Sequence, residues 1–303
     1  MLQKFYEKNR DLIVNIGGKL VHRDEAGVSP FDSTVQNGDG VWEGLRLYQG
    51  KIFKLEEHLD RLNRSAAALR YQGVPTNEEI IHQLRRTLEA NGMFDNVHIR
   101  LTMSRGLKYT SGLDPRINTA GCTLIILAEH KPPVYDKSGV TLTVSSLRRP
   151  PKNVLDQHIH SCNQLTSILA KLEANERGFD DALMLDLAGN LAETNATHVF
   201  IVKDGTVLTS TTEACPEGIT RQTVLDICAK NNVPFDVRDL PLAEVLAADE
   251  VFCTGTMGEL APVTKIDDTR YHNETCGPVT ERLSALYSEL TRNEGFQIVE
   301  AAL

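Results

Sequence analysis

The chain has 303 residues, which is long enough for one large domain or two smaller ones with a sizeable buried core. Hydrophobic residues make up 41% and charged residues 24%, as in ordinary soluble globular proteins, and the net charge of −9 argues against a nucleic-acid binder. Because no apolar run is long enough to cross a bilayer and the N-terminus has no apolar signal region, we expect a cytoplasmic protein without a membrane partner.

The first part of the chain alternates strand-like and helical patterns. Short apolar runs joined by Gly-containing turns indicate hairpins, and apolar residues at helical spacing indicate amphipathic helices. In chain order, these patterns predict hairpins at 12–22 and 41–53, helices at about 55–71 and 77–91, and strands at 97–103 and 122–128.

Pro132 and Pro133 lie between apolar strand-like runs and indicate an interdomain linker. We therefore divide the chain into a small α/β domain, a linker and a larger domain, at 1–130, 131–137 and 138–303. The patterns of the second half predict strands at 140–144, 182–187, 199–203, 207–209 and 250–254, and helices after Asn163 and at 220–231 and 278–290. The predicted fold class is mixed α/β with two lobes.

Several common site types are missing from the sequence. The six cysteines stand at positions 122, 162, 215, 228, 253 and 276, without a CxxC pair or a Cys/His spacing typical of metal sites, so we expect reduced thiols and no metal. There is no dinucleotide fingerprint, no phosphate P-loop and no Gly-x-Ser-x-Gly elbow. These absences exclude the usual nucleotide-dependent and serine-hydrolase classes.

Motifs along nearly the whole chain, from about Ile16 to Leu290, resemble the class IV, branched-chain-type aminotransferases. They occur in family order and spacing, as Phe31-Asp32-Ser33, the run from Gly38 to Arg46, His58-Leu59-Asp60-Arg61-Leu62, Gly218-Ile219-Thr220-Arg221, the run from Ala248 to Phe252, and Thr254-Gly255-Thr256. The resemblance implies a small α/β domain and a larger pseudo-barrel domain. It also implies a homodimer that uses pyridoxal phosphate to exchange amino groups between an amino acid and 2-oxoglutarate.

A pyridoxal phosphate site must hold the phosphate, and backbone N–H groups at a helix start with a nearby cation suit that task. Gly218, Ile219 and Thr220 open a predicted helix, and the glycine would let a ligand approach the backbone. Three further phosphate contacts are implied by the resemblance: Gly255, Thr256 and the cation Arg61.

The ring nitrogen of the cofactor needs a carboxylate, and the resemblance implies that Glu193 supplies it. Arg100 is a candidate for the substrate carboxylate, because a guanidinium can hold a carboxylate at two points. An ion pair within the small domain is an equally good interpretation of this arginine. Trp42 and Val41 either line the substrate pocket or belong to the core. The resemblance adds two more substrate-binding residues, Met257 and Gly258.

The chain departs from the family at the residue that should carry the cofactor. His158 takes the position of the family's lysine, with Ile159 and His160 as alternative alignments, and none of the three is a lysine. Lys152 and Lys171 do not match a relocated anchor. An imidazole offers no primary amine for the covalent link, although its ordinary pKa of about 6.5 suits proton transfer near neutral pH.

Three more departures are predicted near the cofactor. His198 stands where the family tends to have asparagine. Gln164 is expected at the cofactor, where many branched-chain enzymes carry a tyrosine that touches the phenolic oxygen. Pro216 and Glu217 precede Gly218, where relatives often have Leu-Pro, and an acidic neighbour opposes a bound phosphate.

The sequence is consistent with three functions. The first is a branched-chain-type aminotransferase, in which the missing lysine impairs normal transamination. The second is an enzyme of the same fold that uses other acid–base or nucleophilic chemistry, with His158 and His160 and also Cys162 and His198 as candidate groups. The third is a non-catalytic binder of pyridoxal or pyridoxamine phosphate, or a regulatory partner of a true transaminase.

Overall fold

The computed structural model describes residues 4–133, 135, 138–272 and 275–301. They form two compact units. The N-terminal unit comprises Lys4–Pro132, Ile159–Asn163 and the described residues from Thr291 on, and the C-terminal unit comprises Pro133–His158 and Gln164–Leu290. The predicted linker, 131–137, includes three residues that lie outside the described ones, at positions 134, 136 and 137.

The N-terminal unit is built on one antiparallel sheet with two long helices. Its strands are β1 (Ile13–Ile16), β2 (Lys19–His22), β3 (Gly40–Tyr48), β4 (Lys51–Ile52), β5 (Val97–Ser104), β6 (Thr123–His130) and, near the C-terminus, a short strand Phe296–Gln297. Its helices are α1 (Ser33–Asn37), α2 (Leu55–Ala68) and α3 (Asn77–Ala90), with 3₁₀ turns at Glu7–Asn9 and Pro115–Ile117. From edge to edge the sheet runs Phe296–Gln297, β4, β3, β5, β6, β1, β2.

One face of β3 belongs to the core of this unit. Val41, Leu45 and Leu47 alternate along the strand and are fully buried among the side chains of α2 and α3, as period-2 patterning requires. Glu43 shares this face and is also fully buried. A carboxylate that is buried among apolar side chains is stable only when cations or hydrogen-bond donors contact it. The partners of Glu43 therefore belong to the candidate site described below.

Two segments that the sequence analysis placed in the second domain lie in the N-terminal unit, because the backbone pairs them there. Residues 159–163 lie along β3, with Val41 and Ser161 as bridge partners and the Trp42 N–H donating to the His160 carbonyl at 3.0 Å. The strand Phe296–Gln297 pairs with β4. Both pairings join residues far apart in sequence.

The C-terminal unit contains a mixed sheet and four helices. Its strands are β7 (Val140–Arg148), β8 (Asp181–Leu185), β9 (Leu191–Thr194), β10 (His198–Lys203), β11 (Thr206–Thr209), β12 (Phe235–Val237), β13 (Glu250–Gly255), β14 (Glu259–Ile266) and β15 (Thr269–Arg270). The order is β12, β11, β10, β13, β14, β7, β8, β9, with β15 beside β14. Its helices are α4 (Leu165–Glu176), α5 (Ile219–Lys230), α6 (Leu242–Leu246) and α7 (Pro278–Asn293).

The structure confirms the predicted hairpins, helices and strands, with ends that differ by a few residues. The sequence patterns did not predict α1, α6, β9, β12, β14, β15 or the strand Phe296–Gln297. Of these, β14 contains Pro262. Proline usually weakens a strand prediction because it donates no hydrogen bond. Here Pro262 lies opposite Phe252 on β13. The strand continues past the proline, and its pairing with β7 shifts register after Val263.

No described helix is long and apolar enough to serve as a membrane span. Within the described ranges, no group of His, Cys, Asp and Glu side chains is arranged to hold a metal ion. All six cysteines are free thiols, and those at 215, 228 and 253 are buried.

Candidate functional site

In the C-terminal unit, the start of α5 offers backbone donors that no side chain caps. Gly218 is the N-cap residue and, within the described residues, no side-chain hydrogen bond satisfies the first turn of this helix. A Cβ at Gly218 would overlap the ring of His198, so the glycine is needed for this close contact. The first turn therefore presents N–H groups and a positive helix end beside an imidazole.

Two buried polar atoms near this helix start have no hydrogen-bond partner in the described part of the chain. Thr254 lies opposite His198 in the β10–β13 pairing, and its Oγ1 is buried without a hydrogen bond among the described residues. Arg221, in the first turn of α5, donates from Nη2 to the Ser210 carbonyl at 2.7 Å, whereas its Nε is buried without a partner in the same part of the structure. Burial lowers the pKa of Arg221. Unsatisfied buried donors of this kind favour a bound polar or anionic group.

Glu193 on β9 is a buried carboxyl whose proton affinity is increased. Its side chain is 6% exposed, and its Oε1 lies 3.0 Å from Nε of Arg149. The N–H of this nitrogen does not point at the carboxyl oxygen, so the contact is an ion pair without a hydrogen bond. Burial raises the pKa of Glu193 to about 7 although Arg149 acts in the opposite direction. This carboxyl can exchange a proton near neutral pH.

Ser210 connects Glu193 to the start of α5. Its hydroxyl donates to the Ala192 carbonyl at 2.9 Å, one residue before Glu193, and its own carbonyl accepts from Arg221. The structure therefore brings the predicted ring-nitrogen carboxyl and the predicted phosphate-binding turn together in one unit. The sequence analysis missed Arg149 and Ser210, because no local pattern distinguishes them from other polar residues near strand ends.

Four more of the predicted residues in this unit lie at the end of β13 and in the turn into β14. Gly255 ends β13, and Thr256, Met257 and Gly258 form the turn into β14. A Cβ at Gly258 would overlap the ring of Tyr135, whose hydroxyl donates to Asp181 at 2.5 Å. The predicted substrate-binding turn is thus packed by a tyrosine that sequence reasoning missed.

His158 lies in the C-terminal unit, and its ring forms a hydrogen bond with a backbone carbonyl. Nε2 donates to the Thr212 carbonyl at 2.8 Å, and Nδ1 is 3.8 Å from Asp156. Gln164 is the N-cap residue of α4. Neither nearby lysine is a free amine in a buried pocket, because Lys152 is mostly exposed and Lys171 pairs with Asp181 at 3.0 Å.

In the N-terminal unit, Glu43 is the centre of a buried ionic network. Its carboxylate accepts from Arg61 Nε at 2.8 Å and Nη2 at 2.7 Å, and from His58 Nδ1 at 2.7 Å. Burial alone would raise the pKa of Glu43, but Arg61 and His160 hold it well below its usual value. The carboxylate is therefore ionised at neutral pH. It occupies two donors of Arg61, the arginine that was predicted to hold a phosphate.

His160 is fixed against this network. Its Nδ1 lies 2.5 Å from the Trp42 carbonyl and 3.5 Å from Glu43 Oε1. Its ring stacks on the Trp42 indole at 4.4 Å, and its backbone N–H donates to Ser65 Oγ at 3.1 Å. Burial and Arg61 lower the pKa of His160 below its ordinary value, so the imidazole is neutral at neutral pH.

Arg100 and Trp42, both predicted substrate contacts, also lie together in this unit. The Arg100 guanidinium is 3.7 Å from the indole centroid, and the indole Nε1 donates to the Ser161 carbonyl at 3.0 Å. Among the described residues no carboxylate is within ion-pair distance of Arg100; its polar neighbour is Cys162. A half-buried guanidinium with this environment remains able to receive an anionic partner.

Comparisons with known proteins agree with the resemblance noted in the sequence. The family described as Amino-transferase class IV matches residues 40–266. The Branched-chain-amino-acid aminotransferase-like protein 2 of Arabidopsis thaliana is 52% identical over 96% of this chain, which spans only 52% of that relative. The Branched-chain-amino-acid aminotransferase of Pseudomonas aeruginosa is 32% identical over 93% of this chain and 94% of its own.

The fold agrees as well. The crystal structure of the branched-chain aminotransferase from Thermoproteus uzoniensis with norvaline superimposes with a TM-score of 0.86 at 29% identity, covering 94% of this chain and 96% of that one. A branched-chain amino acid aminotransferase complexed with N-(5'-phosphopyridoxyl)-L-glutamate also gives a TM-score of 0.86, at 31% identity over 93% of this chain and 94% of its own. The predicted mixed α/β fold is thereby confirmed. The match over most of the chain, in sequence and in fold, shows that this protein belongs to the class IV aminotransferase family.

Proposed function

We propose that this chain binds pyridoxal phosphate without a covalent link and exchanges amino groups between an amino acid and a 2-oxo acid. The observation that carries the proposal is the pairing, within one unit, of the proton-exchanging carboxyl of Glu193 with the uncapped start of α5. When bound, the cofactor supplies an electron-withdrawing ring that stabilises negative charge at the reacting carbon.

The residues of the C-terminal unit fit two of the three parts of the cofactor. The first turn of α5, with Thr254 Oγ1 and Arg221 Nε as buried atoms without partners among the described residues, suits the phosphate. Glu193 suits the ring nitrogen, because a carboxyl with a pKa of about 7 readily shares its proton with a pyridine nitrogen. Gly255 and Thr256 are proposed as further phosphate contacts by resemblance.

The third part, the covalent attachment, does not fit. Positions 158, 159 and 160 carry no lysine, and Lys152 and Lys171 are exposed or paired. The cofactor is therefore held by non-covalent contacts alone. A group that serves both as covalent anchor and as base contributes several orders of magnitude in rate, so we expect slow transamination.

The substrate side is proposed from the N-terminal unit. Arg100, stacked on Trp42 and without a carboxylate partner among the described residues, is the proposed receptor for the substrate carboxylate. Met257 and Gly258 are proposed by resemblance as further contacts. The names of the relatives favour a branched-chain amino acid.

We also propose a homodimer. Helix α4 exposes four large apolar side chains that share one face at helical spacing: Leu165, Ile168, Leu169 and Leu172. An exposed apolar stripe of this kind is typical of a surface that a second copy covers. Sedimentation at several protein concentrations measures the association directly.

A second function is favoured by one observation, the network around Glu43. A neutral histidine, oriented by an ionised carboxylate, can perform acid–base chemistry in the absence of a cofactor. In that case the chain would be a divergent enzyme, with His160 and His158 as candidate groups. The third possibility is a protein that binds pyridoxal phosphate without catalysing a reaction. An experiment must distinguish it from the two enzyme functions.

The test is a titration of the purified protein with pyridoxal phosphate, followed by visible absorbance, borohydride treatment and an assay with L-valine, L-leucine and D-alanine as donors. We expect saturable binding that remains dialysable after borohydride, weakened in Glu193→Gln, together with slow amino transfer. Binding without amino transfer would identify a binder. The absence of binding even at high cofactor concentration would refute the proposal, and permanent attachment would refute non-covalent retention. Comparison of His158→Lys with His160→Lys shows which position restores the covalent link.

A further inference from the structure

We propose that His160, and not His158, is the proton-transfer group of this chain, and that Glu43 is the positioning residue that fixes its reactive form. In this form the imidazole carries its hydrogen on Nδ1 and presents the lone pair of Nε2. The inference rests on the proposed function for one point, namely that the proton it moves is the α-proton of an amino acid.

The hydrogen-bond partners determine which nitrogen of His160 is protonated. A backbone carbonyl can only accept, so the 2.5 Å contact with Trp42 O requires a hydrogen on Nδ1. The ionised carboxylate of Glu43, at 3.5 Å from the same nitrogen, also favours that hydrogen. Since the ring is neutral, Nε2 is left as an acceptor and therefore as a base.

The reactive nitrogen remains accessible. The described residues make no hydrogen bond to Nε2, and the side chain of His160 is 14% exposed. The ring cannot turn away from this orientation easily, because it stacks on Trp42 and its backbone N–H is held by Ser65. The ring orientation of His160 is therefore fixed, and its Nε2 remains accessible as a base.

Glu43 keeps its position and charge through two further groups. Arg61 binds both carboxylate oxygens, and His58 donates to Oε2. The charged groups that face His160 are thus one anion, Glu43, and one cation, Arg61. The anion stabilises the imidazolium that forms when Nε2 takes a proton, as an oriented carboxylate does for a catalytic histidine in general. Burial and, after it, Arg61 lower the pKa of His160, which keeps the resting ring neutral at neutral pH.

His158 lacks these properties. Its Nε2 is used by the Thr212 carbonyl, which requires a hydrogen on that nitrogen. Its Nδ1 is 3.8 Å from Asp156, which is too far for a hydrogen bond. This bond ties the loop of His158 to that of Thr212, and no carboxylate among the described residues lies within hydrogen-bond distance of Nδ1 to position the ring as a base. We therefore assign His158 a structural role.

The proposed step is balanced without an additional reagent. His160 Nε2 takes the proton from the substrate α-carbon, and the electron pair of the broken C–H bond stays with the carbon. The imidazolium exchanges this proton with solvent and then gives a proton to the carbon, so His160 ends the step neutral and the α-hydrogen is replaced by one from solvent. No oxidant, reductant or metal is required.

The first test uses the unaltered protein labelled with ¹⁵N-histidine. Nitrogen shifts distinguish the two neutral forms of an imidazole, and His160→Gln identifies the signal to be read. The exposed His82 on α3 provides the matched control, since His82→Gln should leave that signal unchanged. We expect a hydrogen on Nδ1 and none on Nε2 near neutral pH. A hydrogen on Nε2, or a charged ring, would overturn the proposal, whether or not cofactor binds.

The second test compares His160→Gln with His158→Gln in cofactor-saturated protein. It measures exchange of the substrate α-hydrogen for deuterium, and cofactor absorbance is recorded separately. We expect His160→Gln to slow exchange by about 100-fold or more while cofactor still binds, as loss of a general base does, and His158→Gln to change it far less. The opposite order would overturn the assignment to His160. If the unaltered protein binds no cofactor, the proposed function fails, while the nitrogen shifts still decide the form of His160.

Discussion

Glu193 provides a quantitative prediction for the cofactor-free protein. Burial raises its pKa from the ordinary 4.5 to about 7, so the folded chain holds a proton that the unfolded chain has already released. The contribution to stability is therefore fully present below pH 4.5 and is lost as the pH rises through 7. Each pKa unit corresponds to about 1.4 kcal/mol, so the loss over this range is about 3 kcal/mol.

Glu193→Gln removes the titrating group and keeps the shape of the side chain. We expect the free energy of unfolding of the unaltered protein to fall more steeply between pH 5 and 8 than that of the variant, with the difference approaching about 3 kcal/mol. Urea unfolding followed by circular dichroism at each pH gives both curves, and other titrating groups cancel in the difference. Parallel curves would show that Glu193 is ionised in the folded protein and that burial does not govern its pKa.

Three further predictions follow from other contacts. Glu250 accepts hydrogen bonds from the Val279 and Thr280 N–H groups at 3.0 and 2.8 Å at the start of α7, so Glu250→Ala should cost about 3 kcal/mol in thermal unfolding. The same change at the more exposed Glu244, paired with Arg238, should cost less than about 1 kcal/mol; equal losses would contradict the capping role. Gly218→Ala should weaken cofactor binding about 10-fold, and adding His198→Ala should restore part of it, because the new Cβ meets that ring. Arg100→Lys should raise KM for the amino acid about 10-fold at unchanged cofactor affinity, and an unchanged KM would remove Arg100 from the substrate site.

The parts of the fold that sequence predicts well are those determined by local chemistry. Helix α3 begins at a Thr76–Glu79 capping box, and its apolar residues recur at helical spacing, so both its start and its buried face are encoded within a few residues. The start of α5 was predicted from the local sequence as well, because Gly218 directly precedes the helical pattern. The hairpin of β1 and β2 needs only Gly17 and Gly18 at positive φ.

The parts that sequence did not predict depend on pairings across long distances in the chain. The sequence marks Glu43 as a buried-looking polar residue that could orient neighbouring groups, but it does not reveal the partners Arg61 and His160, which are 18 and 117 positions away. Arg149 acquires its role only when β7 and β9 are both in place, so that its guanidinium faces Glu193. Neither relation leaves a periodic signal, and both require the tertiary structure.

Glu43 and Glu193 show how the same side chain can serve opposite purposes in one fold. Both are buried, so desolvation raises the pKa of each. Glu43 has Arg61 in two-point contact and His58 as a further donor, which more than offset desolvation. Glu193 has one cation, Arg149, whose N–H points elsewhere, and desolvation prevails. Glu193 is the carboxyl that can share a proton with a bound ring nitrogen, whereas Glu43 remains charged and holds His160 in the form that accepts one.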